Sequence, residues 1–140
     1  MKTCDLFKTK KLVLSAEVFP PKTSGNLEGV IRALKSIKSV GADYVSVTYG
    51  AGGFGNDTTA DVASIAVDAF GIDTVAHMTA VNMTIDKLEE LLKMLKRKGI
   101  ENILALRGDI VSESKFYDFS HANDLAKYIK TNHPDFNLLG

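Results

Sequence analysis

At 140 residues, with 45% hydrophobic and 24% charged residues, the chain has the composition of a single soluble globular domain, 1–140. Its formal net charge is zero and no basic block interrupts it, which argues against nucleic acid or an anionic membrane as partner. No apolar run approaches the roughly 20 residues of a membrane span, Met1 to Lys11 lacks the apolar centre of a secretory signal, and the one cysteine, Cys4, allows no internal disulfide, so the expected compartment is the cytoplasm.

The first predicted element is a strand. Leu12, Leu14, Ala16 and Val18 alternate with Val13, Ser15, Glu17 and Phe19 at the strand period of two. Pro20 and Pro21 then stop it, because neither can donate to a ladder. Glu17 near that exit has two open readings. It is an acid drawn out of water, with its proton retained to higher pH, or an edge-strand glutamate in solvent. Leu27, Val30, Ile31, Leu34 and Ile37 follow helical spacing up to Gly41. A second strand runs from Asp43 to Tyr49, with Val45 and Val47 on one face and Ser46 and Thr48 on the other.

A glycine-rich loop, Gly50 to Asn56, leads to caps at Asp57 and Thr58 and a helix through about Phe70. Strand three is predicted over Thr74 to Met78. Thr84 caps the clearest helix, which carries the stripe Leu88, Leu91, Leu92, Leu95 and stops at Gly99. Strand four spans Asn102 to Leu106, a helix follows over about Ala122 to Thr131, and Phe136 to Gly140 opens a fifth strand. Strands alternating with helices give an α/β fold with a parallel sheet. Two architectures compete: an open doubly wound sheet, and the first four βα units of a (β/α)₈ TIM-type barrel, whose whole runs to about 250 residues. On the second reading the chain is a half-barrel, truncated or split.

Gly50-Ala51-Gly52-Gly53-Phe54-Gly55 fits the G-x-G-x-x-G string of a dinucleotide-binding turn. The helix caps fall after the last glycine, however, and no acid ends the next strand. Those features favour a loop over a ligand or a plain connection, and leave a nucleotide-binding open sheet as the alternative. A stronger pattern is the placement of polar residues at strand ends: Glu17, Thr48, His77, then Arg107 and Asp109. A parallel barrel gathers those ends on one rim, where barrel enzymes carry their chemistry. Each also has a plain reading: Thr48 as a strand former, His77 as a satisfied core histidine, Arg107-Gly108-Asp109 as a turn with a surface ion pair. No zinc spacing, nucleophile elbow, P-loop or HExxH string is present.

Four segments together carry a resemblance: Ala16-Glu17-Val18-Phe19-Pro20-Pro21-Lys22, Val45-Ser46-Val47-Thr48-Tyr49-Gly50-Ala51, Ala76-His77-Met78-Thr79 and Leu104-Ala105-Leu106-Arg107-Gly108-Asp109. They resemble the N-terminal half of the 5,10-methylenetetrahydrofolate reductases, flavoproteins of one-carbon metabolism and methionine biosynthesis built on a barrel. The resemblance implies a non-covalent FAD across the strand ends, reduced by NADH or NADPH, with methylenetetrahydrofolate as second substrate. It implies that Glu17 is the general acid and that Asp109 contacts the folate and tunes the flavin. Thr48, Tyr49, Ala51, His77, Leu106, Arg107, Gly108 and Asp109 match flavin-contacting positions. His121 and Ala122 stand where an aromatic residue and an alanine are usual. The missing barrel half implies a partner, either a homo-oligomer or a second chain completing the barrel, without which full activity is not expected.

Overall fold

A computed structural model of the chain describes residues 1–21, 27–49, 56–110 and 118–140. In chain order its elements are α1 (Thr3–Thr9), β1 (Ser15–Val18), α2 (Glu28–Ser39), β2 (Tyr44–Val47), α3 (Asn56–Phe70), β3 (Asp73–Thr79), α4 (Ile85–Arg97), β4 (Asn102–Leu106), α5 (Ala122–Asn132) and β5 (Asn137–Leu139). All strand pairs are parallel and the sheet order is β1-β2-β3-β4-β5. A doubly wound sheet reverses its strand order at a switch point; this one does not. Each strand is added on the same side, as in a (β/α)₈ barrel.

The layering agrees. In the register Val18↔Val47↔Ala76↔Ile103, the paired residues share one face of the sheet. All four belong to the main apolar core, together with Leu34 of α2, Ala63 and Ala66 of α3, Leu88 and Leu92 of α4, and Leu125 and Ile129 of α5. Helices α2 to α5 therefore cover one face only, the outer face of a barrel wall. The doubly wound alternative, which needs helices on both faces, fails on strand order and on layering.

Sequence periodicity explains these contacts. The Leu88, Leu91, Leu92, Leu95 stripe is fully or nearly fully buried. Thr84 caps α4 by accepting the Lys87 N–H at 3.3 Å, and the Asp118 carboxylate takes the Ile85 N–H at 2.7 Å, so two of the helix's orphan donors are satisfied. Past the other end, Gly99 sits at φ +69°, a left-handed turn that glycine enters without a Cβ clash.

The other face is closed at its lower end by α1, which sequence periodicity does not reveal. Seven residues cannot sustain an isolated helix, so α1 depends on what it docks against. The Thr3 N–H donates to Asn102 Oδ1 at 2.9 Å. Asn102, buried, in turn donates from Nδ2 to the Thr74 carbonyl at 3.2 Å, while Asn137 Nδ2 bridges Asn102 Oδ1 (3.0 Å) and Thr3 Oγ1 (2.9 Å). Leu6 of α1 and Val75 of β3 are buried yet lie outside the main core.

Several boundaries differ from expectation, and β2 spans only Tyr44–Val47 where Asp43 to Tyr49 was expected. The first strand begins at Ser15, and Leu12 and Leu14 are exposed. That segment is tied instead to Asp43, whose carboxylate accepts the Leu14 N–H at 2.9 Å and pairs with Lys10, and whose N–H donates to the Leu14 carbonyl at 2.7 Å. Helix α3 begins at Asn56, ahead of the expected caps at Asp57 and Thr58 but still after Gly55. Strand β3 continues to Thr79, so His77 lies within the strand and not at its last residue. The Gly50–Gly55 loop lies outside the described residues.

Candidate functional site

Because every strand is parallel, the ends at Val18, Val47, Thr79, Leu106 and Leu139 share one rim. On the face away from the helices, register places Glu17 beside Ser46, Ser46 beside Val75, His77 beside Leu104, and Thr79 beside Leu106. This is the inner face of the barrel wall, and Glu17, His77 and Leu106 stand on it at the rim end.

Glu17 and His77 meet there. His77 Nε2 lies 3.7 Å from Glu17 Oε2, with the imidazole side chain 8% exposed and the carboxylate side chain 47% exposed. The distance exceeds a hydrogen bond, and Nε2 is buried with no hydrogen-bond partner among the described residues. Burial pushes the His77 imidazole below its usual range, and the Glu17 charge partly opposes that. Half of the Glu17 side chain meets solvent, so this sheet alone does not supply the apolar surroundings expected for a proton-retaining acid.

The second feature is the turn after β4. Gly108 has φ +82°, and a Cβ built on it would lie 3.0 Å from Thr79 Cβ and 3.2 Å from Thr79 Cγ2. The stretch after β3 is stitched to this turn: Ala80 N–H donates to the Leu106 carbonyl and Val81 N–H to the Arg107 carbonyl, both at 2.9 Å. The turn after β4 thus packs against Thr79 at the end of β3, with no room between them for a side chain at 108.

The other expected site residues that the structure describes follow the ends of β2 and β4 or open α5. The Thr48 N–H donates to the Val18 carbonyl and its own carbonyl accepts from Thr59 Oγ1, each at 3.0 Å, extending the β1–β2 ladder past β2. Tyr49 is half-buried against the core, and burial raises its phenol pKa. Arg107 and Asp109 are exposed. Arg107 Nε donates to the Gly108 carbonyl at 3.3 Å, and no ion pair joins Arg107 to Asp109 among the described residues, so the surface-pair reading of that turn is replaced. His121 and Ala122 open α5: the His121 N–H donates to Asp124 Oδ2 at 2.9 Å, and its exposed imidazole Nδ1 lies 3.4 Å from the same oxygen. Ala51 lies outside the described residues. Thr79 and Ser46 were not singled out as site residues from sequence. Their role is steric and depends on cross-strand register, which a single sequence does not encode.

A cavity of about 580 Å³ opens between β4, β5 and α5, lined by Ala105, Ala126 and Leu138 and, of the expected site residues, by Ala122. It contains no carboxylate or histidine and lies away from Glu17 and His77. Among the described residues no group of His, Cys, Asp and Glu could hold a metal ion, and no helix is long and apolar enough to cross a membrane.

Comparison with known proteins decides the family. The family model for methylenetetrahydrofolate reductase matches residues 2–139. The chain belongs to the methylenetetrahydrofolate reductase family. It is 35% identical to methylenetetrahydrofolate reductase 1 of Schizosaccharomyces pombe, over 94% of this chain and 23% of that protein. It is 33% identical to methylenetetrahydrofolate reductase (NADH) 1 of Arabidopsis thaliana, over 97% of this chain and 24% of that protein. It is 32% identical to the 5,10-methylenetetrahydrofolate reductase of Escherichia coli, over 84% of this chain and 39% of that protein. The chain thus spans about a quarter of the two eukaryotic relatives.

Proposed function

We propose that this chain forms the flavin-bearing wall of a methylenetetrahydrofolate reductase that converts 5,10-methylenetetrahydrofolate to 5-methyltetrahydrofolate with NADH or NADPH through FAD. The observation that carries the reading is the family match from residue 2 to 139, together with a rim that suits the cofactor. One feature of the rim fits a polar ring system: the buried His77 Nε2, without a hydrogen-bond partner among the described residues, offers a polar atom on the inner side. Thr48, Tyr49, Ala51, His77, Leu106, Arg107, Gly108, Asp109, His121 and Ala122 are the residues proposed to hold FAD. Bound there, FAD supplies the two-electron transfer between nicotinamide and folate.

The chain's own residues would do the rest. Glu17, at the end of β1, is the proposed general acid, holding a proton for the folate's bridging ring as it opens. Asp109 on the turn after β4 is the proposed polar contact for the pterin. The half-exposed carboxylate of Glu17 explains why a second barrel wall matters. Excluding water from the inner face would raise the cost of ionising an acid there. Reductase activity is therefore assigned to the assembly in which a homo-oligomer or second chain faces this sheet. The lone, exposed Cys4 accords with a reducing compartment, and we place the protein in the cytoplasm.

The test is direct. The purified chain is titrated with FAD, and flavin absorbance and fluorescence are followed; turnover of methylenetetrahydrofolate is then assayed with NADH and with NADPH, alone and with the remainder of a family barrel added. Saturable FAD binding, with turnover appearing only on addition of the second part, is the expected result. A folded chain that ignores FAD under both conditions rules the reading out.

A further inference from the structure

We infer that His77 is a positioning residue for Glu17, reaching its carboxyl across the small-residue face of β2 so that the two side chains act as one unit at the rim. The inference deepens the reductase reading and rests on it for Glu17's role; the pairing itself rests on geometry.

Glu17 and His77 belong to strands that are not neighbours, since β2 lies between them. Adjacent strands are about 4.8 Å apart, so β1 and β3 are separated by roughly 9.6 Å. An approach of 3.7 Å between Oε2 and Nε2 therefore requires both side chains to lean over β2. The inner face of β2 permits it, because the positions there near the rim are Ser46 and Thr48. On the β4 side His77 is paired in register with apolar Leu104. Glu17 is the one charge that acts on the imidazole among the described residues. Nε2 has no hydrogen-bond partner among the described residues, and the Glu17 carboxylate is the charge that faces it.

A neutral imidazole suits an acid that must keep its proton. A lysine or arginine at that distance would hold a carboxyl ionised. An uncharged His77 can accept a hydrogen bond from the protonated carboxyl through Nε2, or donate one to the carboxylate as the other tautomer. It orients the group in either state without fixing its charge, provided a small closure of the 3.7 Å gap. Leu, Ile or Lys at position 46 would occupy the space through which the two side chains meet.

The experiment is a pH titration of the full chain by NMR, following the His77 imidazole and the Glu17 side-chain carboxyl carbon, with FAD binding measured on the same samples. In the wild type the Glu17 signal should show an inflection at the His77 midpoint. Glu17→Gln, at an exposed position, should lower the His77 midpoint, because the carboxylate's charge favours the imidazolium. His77→Gln should abolish the shared inflection, and Ser46→Leu should weaken it while Ser46→Ala leaves it. A His77 midpoint unmoved in Glu17→Gln, or a Glu17 curve unchanged in His77→Gln, overturns the inference. Coupled titration in a chain that takes up no FAD supports the pair while sinking the reductase reading; FAD uptake with uncoupled titrations does the reverse.

Discussion

Gly108 and Thr79 are packed so closely that a single methyl group cannot be added between them. A Cβ at 108 would lie 3.0 Å from Thr79 Cβ, and the backbone there sits at φ +82°. Gly108→Ala therefore combines left-handed strain with a steric clash, together costing about 1–3 kcal/mol. The damage should stay local, because Ala80 and Val81 anchor the neighbouring stretch to β4 by backbone bonds. The expected outcome is a folded protein with a lower melting temperature and at least tenfold weaker FAD binding. Gly108→Ala paired with Thr79→Ser, which removes Cγ2, should recover part of the stability. Thermal melts and a flavin titration of the single and double variants check both statements.

Asn102 shows how the lower end of the inner face is held. Its side chain is buried and serves Thr3, Thr74 and Asn137 at once. Asn102→Leu leaves the Thr3 N–H and the Thr74 carbonyl without these bonds and forces a branched side chain into their place. Buried groups left unsatisfied cost about 1–3 kcal/mol each, so a loss of roughly 2–4 kcal/mol is expected in denaturant melts. Hydrogen exchange should locate the loss: amides of α1 lose protection first, since that helix is too short to persist undocked.

Several elements could be read from the sequence because local chemistry and tertiary structure agree. Strand β4 was expected and found at Asn102–Leu106, bounded by Gly99 and Gly108, and α4 was fixed by Thr84, its leucine stripe and Gly99. Where the fold departs from expectation, the deciding contact is distant. Leu12 and Leu14 alternate like strand residues, yet Asp43 holds that segment off the sheet. Helix α1 buries only Thr3 and Leu6 and leaves Phe7 exposed, and its anchor Asn102 lies 99 residues away from Thr3. The site divides in the same way. The parity of Ser46 and Thr48 was legible within β2, but the Glu17–His77 approach depends on register across three strands. The flavin and folate roles came from family resemblance and not from any spacing in the chain.

The outer face should be the least forgiving part of the molecule. Leu92 is 1% exposed in the α4 stripe, within the same core as Ile103 on β4. Leu92→Ala removes three heavy atoms from a site closed on all sides, and such truncations cost about 2–5 kcal/mol through lost burial and residual cavity. Ile31, on α2 at 42% exposure, provides the contrast. Ile31→Ala should change stability by only about 0.5 kcal/mol. Urea melts of the two variants at one protein concentration separate the cases.

His77 should give the fold a pH dependence of known sign. Burial lowers its folded-state pKa below the ordinary 6.5, so in the window beneath 6.5 the unfolded chain binds a proton that the folded chain does not. Stability then rises with pH across that window and is lost as pH falls from about 6.5 towards the lower folded value. Below that value both states are protonated and this contribution flattens. Glu17 softens the slope, because its charge favours the imidazolium. Glu17→Gln should therefore steepen the loss between pH 7 and 5, while His77→Gln should remove the histidine's share of it. Melting temperatures at half-unit pH steps for the wild type and the two variants provide the check. A wild-type curve that parallels His77→Gln throughout would mean that His77 does not titrate as a buried group.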